Sequence, residues 1–170
     1  MEKTNNKFEK MILNVIQHYN HKKYWKMRDY VVNSNNSNKL MKYLYLFKLK
    51  KIDSYHNASM GTNINGGAHF DSTPFFPHGI NGIFVAHESV IGKNCVIYQQ
   101  VTIGKKSEIG EGPRIGDNCI IYPGAKIFGE IKIGNNCIIG ANAVVNKSFP
   151  DNSIIVGIPA KCLRRKNEKD

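Results

Sequence analysis

The stretch Ile91–Cys119, IGKNCVIYQQVTIGKKSEIGEGPRIGDNC, decides how this chain folds, because an aliphatic residue stands at every sixth position of it. Counting outward, Val85, Ile91, Ile97, Ile103, Ile109, Ile115, Ile121, Ile127, Ile133, Ile139 and Val145 share one unbroken frame. A helix requires apolar spacings of three and four, and a half-buried strand requires two. A period of six belongs to a repeat architecture, whose units are too short to bury an apolar side alone and do so by stacking. Glycine often follows the aliphatic, as at Gly92, Gly104, Gly110, Gly116, Gly134 and Gly140. Four positions after it the residue is often small: Ser89, Cys95, Ser107, Cys119, Ala125, Cys137, Ala143. Each hexad thus offers two inward positions, one large and branched, one small.

This pattern resembles the hexapeptide repeat of left-handed parallel β-helix proteins, whose coils are triangular prisms of three hexads. The resemblance covers roughly Gly61 to Ala160. It implies a mainly β chain, with a short helical segment over residues 1–56, a β-helix over 57–160 and a basic tail over 161–170. It also implies that residues eighteen apart stack: Val85 under Ile103, Ile121 and Ile139, and Ile91 under Ile109, Ile127 and Val145. The left hand is taken from the family, since parallel crossovers are otherwise right-handed.

At 170 residues the chain holds one substantial domain and an appendage. No apolar run approaches a membrane span, and MEKTNNKFEK lacks the features of a signal peptide, so the expected location is cytoplasmic. The net charge of +11 is unevenly spread. Residues 1–56 carry twelve Lys/Arg against four acids, 57–160 seven against seven, and 161–170 five against two. The repeat body is therefore neutral. No nucleic-acid-binding motif accompanies the charge, which reads as solvated helix faces, or as a surface for an anionic membrane or polymer. Cys95, Cys119 and Cys137 all fall on the small inward position and read as core rather than as metal ligands.

Ahead of the repeat, Phe8, Met11, Ile12, Val15, Ile16 and Tyr19 form one helical stripe, and Tyr24, Met27 and Val31 a second, shorter one. The polar break Asn33–Asn38 follows, with Ser37 or Asn38 as the cap of a third helix through KLMKYLYLFKLKK. That helix is expected to pack on the end of the prism, the alternative being a peripheral membrane contact. Pro150 and Pro159 are expected to end regular pairing.

Six histidines are present and none lies beyond His87, which argues against the zinc carbonic anhydrases built on such prisms. The phrase PHGINGIFVAHESVIGKNCVIYQQVTIG, Pro77 to Gly104, resembles the serine acetyltransferase branch of the hexapeptide acyltransferases. His78 matches that family's catalytic histidine, and Gln99 or Gln100, Val101, Thr102 and Gly104 its Q-x-V-T-x-G element. The resemblance implies acetyl-CoA as co-substrate, no metal, and a homotrimer with pantetheine lying in the groove between adjacent prisms. It places Gly104, Lys105, Gly124, Ala125, Gly140, Ala141, Lys161 and Arg164 at the coenzyme, the last two facing phosphates. His78 would act as general base, since neutral imidazole suits removal of a hydroxyl proton. Phe76, with its neighbour Phe75, and His87, read as a strand residue, are candidates at the acceptor. For the partner that orients His78, Asn63, Asp71 and Glu88 stay open.

Two departures from the serine branch stand out. Pro77 precedes His78 where that branch has an acid, and Glu111–Gly112 stand where it has an Arg-His pair. Without an arginine clamp, a carboxylate loses its charge-assisted partner. The chain thus looks more like the O-acetyltransferases of capsular and surface polysaccharides, with a sugar hydroxyl as acceptor. Serine O-acetylation and a non-catalytic hexapeptide scaffold are the alternatives.

Overall fold

The computed structural model describes residues 18–107 and 109–165. Apart from Tyr19, the first expected helix lies outside them.

Strands of two to four residues wind into a three-sided parallel prism. One face stacks Phe84–Val85, Thr102–Gly104, Lys126–Phe128 and Val144–Val145. The next stacks His69–Phe70, Val90–Ile91, Arg114–Ile115 and Lys132–Ile133, and the third Val96–Ile97, Ile120–Ile121, Ile138–Ile139 and Ser153–Val156. One aliphatic of each strand points inward and is buried in a column: Val85, Ile103, Ile127, Val145 on the first face, and Ile97, Ile121, Ile139, Ile155 on the third.

A strand this short needs a sharp corner after it, and two of the three corners in each coil use the left-handed backbone region. Asn94, Asn118 and Asn136 take φ of 55, 56 and 57° at one corner. Gln100, Gly124 and Asn142 take 61, 73 and 56° at the next. Asparagine and glycine tolerate this region best. The first set also forms a ladder, Asn94 Nδ2 donating to Asn118 Oδ1 and Asn118 Nδ2 to Asn136 Oδ1, each at 3.3 Å. Below the corner, the buried thiols of Cys95, Cys119 and Cys137 donate to Gly116, Gly134 and Pro150 carbonyls of the following coil.

The stacking differs from the expected eighteen-residue step. Val85 pairs with Ile103, Ile121 with Ile139 and Ile127 with Val145, each eighteen on. In the middle of the prism the step is twenty-four: Ile91 meets Ile115, Ile97 meets Ile121 and Ile103 meets Ile127. Six residues are extruded between Gly104 and Arg114. Ile109, in frame with the core aliphatics, is 90% exposed. An insertion of six leaves a six-residue period intact, so the frame could not reveal it.

A second difference lies at the far end. Pairing continues past Pro150: Phe149 bridges Ile133, and Ser153–Val156 adds to the third face. The chain then reverses, and Lys161–Arg165 runs antiparallel along that last strand. Gly157 O accepts from Val144 N at 3.0 Å, and Ala160 N donates to Val144 O at 2.9 Å, so the closing segment also covers the neighbouring face.

The other end is closed by two helices, α1 (His21–Val32) and α2 (Lys39–Tyr55). Asn20 caps α1 and Asn38 caps α2, each side chain accepting from the backbone N–H three residues on. The helix lying directly on the prism is α1. Trp25 meets Phe70 edge-on at 4.9 Å and stacks on Phe76 at 6.3 Å. Arg28 donates to the Met60 and Ala68 carbonyls, satisfying first-coil acceptors that have no strand above them. Outside it, α2 packs on α1 through the Tyr24 hydroxyl, which donates to Asp53 at 2.6 Å, and through Tyr30 against Tyr45. Lys42 reaches down to Asn33 O and Asn65 Oδ1.

Candidate active site

His78 sits in the segment Pro77–Ile80, at the head of the prism edge that joins the third face to the first. Its turn needs positive φ at Gly79 and Gly82, 69 and 66°, which explains glycine at both positions. The turn is braced from α2. Asn81 Nδ2 donates to the His78 carbonyl at 2.9 Å, and Asn81 Oδ1 lies 2.6 Å from His56 Nδ1. With the amide donating to His78, its oxygen is the acceptor, so the His56 proton is on Nδ1. Gly82 N adds a bond to His56 O at 3.0 Å. The backbone carrying His78 is held from the helix side while its imidazole stays exposed.

The ring of His78 lies 6.0 Å from that of Tyr98, which stacks on Tyr122 at 5.2 Å. These residues directly follow the inward Ile97 and Ile121, and Gly140 follows Ile139 in the same column. The edge beneath His78 is therefore a ladder of two tyrosines and then a glycine. Sequence reading missed Tyr98, Tyr122, Asn81 and His56. The only signal for the tyrosines was their identical place after the core aliphatic.

None of the three candidate partners of His78 bonds to it. Asp71 is held by His69 Nε2 at 2.9 Å, and Glu88 by Lys105 Nζ at 2.9 Å. Asn63 Oδ1 accepts from Ile64 N. The Lys105 bond also holds the Glu88 carboxyl below its usual range. Among the described residues, no side chain hydrogen-bonds the His78 imidazole.

The expected coenzyme residues divide. Ala141 is exposed on the Tyr98–Tyr122 edge and Gly140 half-buried. Gly124 and Gly140 are tight packing positions: a Cβ would lie 2.1 Å from Asn142 Oδ1 at the first and 2.9 Å from Val156 Cγ1 at the second. The Ala125 side chain is wholly inside the prism. Gly104 and Lys105 end the first face. They lie beyond the corner at Gln100, at the far end of a different face from the strand that leads to Tyr98. A Cβ on Gly104 would meet nothing closer than Thr102 at 3.9 Å, which leaves its surface open. Lys161 is exposed on the closing strand, and the Arg164 side chain lies outside the described residues.

The acceptor candidates divide as well. Phe76 is buried against Trp25 and His21, because the first coil needs a plug beneath α1; the exposed ring is Phe75. His87 lies in the turn after Phe84–Val85, not in a strand. Among the described residues, no three His, Cys, Asp or Glu side chains converge as a metal site.

Residues 112–147 match the family model described as bacterial transferase hexapeptide (six repeats). Among solved structures, a Neisseria gonorrhoeae serine acetyltransferase is similar at 30% identity and TM-score 0.64, over 75% of this chain and 48% of that one. A soybean serine acetyltransferase complexed with serine is similar at 30% identity and TM-score 0.65, over 81% and 54%. A serine acetyltransferase in complex with CoA is similar at 27% identity and TM-score 0.66, over 86% and 57%. The chain thus spans about half the length of the solved structures it matches. No curated protein matches the sequence. Repeats and solved neighbours together give the winding its hand: the prism is a left-handed parallel β-helix, with bacterial transferase hexapeptide repeats matched over residues 112–147.

Proposed function

We propose that this protein is an acetyl-CoA-dependent O-acetyltransferase with His78 as general base. The observation that carries the reading is an exposed imidazole on a turn braced by Asn81 and His56, in a fold similar to serine acetyltransferases, one of them a CoA complex. His78 takes the proton from an acceptor hydroxyl as its oxygen attacks the thioester carbonyl. The tetrahedral oxyanion is stabilised by backbone N–H donors. Its collapse breaks the C–S bond, and the imidazolium returns the proton to the departing thiolate. The open end of the first face at Gly104 lies across the prism from His78. A homotrimer sets one protomer's Gly104 edge against a neighbour's His78 edge, which makes the groove between prisms the binding site.

Serine is the acceptor that the comparisons favour. A sugar hydroxyl is the second reading, and the region around the extruded loop favours it. Arg114 is held by Glu111 at 3.1 and 2.8 Å and Lys105 by Glu88, so neither is set up to clamp a carboxylate. The exposed rings of Phe75 and Tyr122 are surfaces on which a pyranose could stack.

The test is thiol release from acetyl-CoA with L-serine, monosaccharides and anionic oligosaccharides, for wild type and His78→Ala. Release with one acceptor class, lowered about 10²- to 10⁴-fold in the variant, is expected. Serine alone as acceptor selects the first reading and sugars alone the second. No release with any acceptor leaves the protein a scaffold.

A further inference from the structure

Helix α2 turns two faces outward from its axis, and among the described residues only one is packed against. Leu49, Asp53 and Lys42 are buried toward α1 and the prism, with Tyr45, Leu46 and Ile52 packed beside them. On the opposite side Leu40, Tyr43, Leu44 and Phe47 are exposed, Leu40 by 72% and Phe47 by 71%. At 3.6 residues per turn these four make one ridge. Exposed Lys39 and Lys50 line one margin of it and exposed Lys48 the other, while exposed Lys51 continues the ridge one turn beyond Phe47. The one acid of the helix, Asp53, is turned inward under Tyr24. Beside Lys48 and Lys51, a cavity of about 420 Å³ opens between the helices, lined also by Lys23, Tyr24, Met27 and Ile52.

We infer that this face of α2 docks on an anionic lipid bilayer. A ridge of leucine and aromatic rings enters the acyl boundary while lysines on both margins reach phosphates, their stems lying along the apolar surface. Each lysine near such a surface adds to the attraction, and the face carries no acid to oppose it. A soluble anionic glycan would meet the lysines but leave the ridge in water. Among the described residues, no helix is long and apolar enough to cross a membrane, so the contact is peripheral. Docking also sets a geometry. The last turn of α2 leads to His56, which holds the His78 turn, and nine residues from Phe47 to His56 span only about 13 Å. If the proposed activity is correct, the reaction takes place close to the lipid surface.

The experiment is co-sedimentation of the full chain with phosphatidylcholine vesicles, with and without phosphatidylglycerol. Wild type is expected to bind the phosphatidylglycerol vesicles. Leu40→Ser with Phe47→Ser should weaken that binding at least tenfold. Lys48→Gln with Lys51→Gln should weaken it roughly tenfold at low salt. These side chains are exposed, so unchanged thermal melts confirm the folds. Wild type that stays off the charged vesicles overturns the inference, whether a second copy or residues 1–17 cover the ridge. So does a ridge variant that changes oligomer size while binding vesicles normally. Binding to soluble polygalacturonate that matches vesicle binding and ignores the ridge substitutions overturns it in favour of a glycan. Vesicle binding is read without acetyl-CoA, so it stands or falls separately from the acetyltransferase reading.

Discussion

Ile109 and Ile115 are six residues apart, follow the same frame and are each followed by glycine, yet one lies in solvent and the other in the core. Ile115 has Ile91 above it and Ile133 below, in register. Ile109 has no such neighbours. Its segment leaves the prism after Gly104, and among the described residues it is held by side-chain bonds: Lys105 Nζ donates to Glu88, Ser107 Oγ to Ile109 O, and Glu111 N to Glu130 Oε1. A hexad therefore gains burial from the coils on either side and not from its own composition. The repeat sets the step of the chain, and stacking decides which hexads count as structure.

The largest test of that contrast is a pair of truncations. Ile127→Ala, between Ile103 and Val145, should cost about 2 to 5 kcal/mol in chemical unfolding. Ile109→Ala should stay within about 0.5 kcal/mol, and equal losses would break the comparison. Next is a pair of glycines. A Cβ at Gly116 would lie 2.5 Å from Asn135 Oδ1 and 2.8 Å from the Gly134 carbonyl carbon, whereas at Gly104 it has room. Gly116→Ala should therefore cost about 1 to 3 kcal/mol, and Gly104→Ala much less. Deleting residues 106–111 restores an eighteen-residue step, because Lys105 and Gly112 then bridge Ile103 and Ile115 at the normal six. Such a chain should unfold cooperatively within about 1 kcal/mol of wild type. A large loss would make the loop part of the core.

The smallest effect belongs to the helices, which obey different physics. Asp53 is buried, and burial pushes its carboxyl above the usual range although the Tyr24 bond opposes it. A raised folded-state pKa means that the native chain holds the proton longer than the unfolded one. Its contribution is complete below about pH 3.9 and is lost as pH rises through the raised value. Asp53→Asn should flatten that part of the stability profile in denaturant titrations at stepped pH.

The prism itself was legible because a period of six has few physical explanations. The insertion was legible too, but in another register. GKNC at 92–95, GDNC at 116–119 and GNNC at 134–137 mark the same corner in three coils, and their spacings of twenty-four and eighteen reveal the six extra residues. The aliphatic frame hid what the asparagine–cysteine corners showed. At the candidate site, His78 stood out because the phrase from Pro77 to Gly104 resembles the serine acetyltransferase branch, whose catalytic histidine it matches. Its brace did not, since His56 and Asn81 are brought together only when the end of α2 meets the turn. The burial of Ala125 and Phe76 was not legible for one reason: small and aromatic residues suit a ligand and a core equally, and only the direction of the side chain distinguishes them.

The reversed strand Lys161–Arg165 has a consequence for the solution behaviour of the protein. A column of parallel coils is an open template, and its last rung would accept the first rung of another molecule, and so on into filaments. Turning the final strand back on itself, with Arg28 occupying the carbonyls at the opposite end, leaves growth no place to begin.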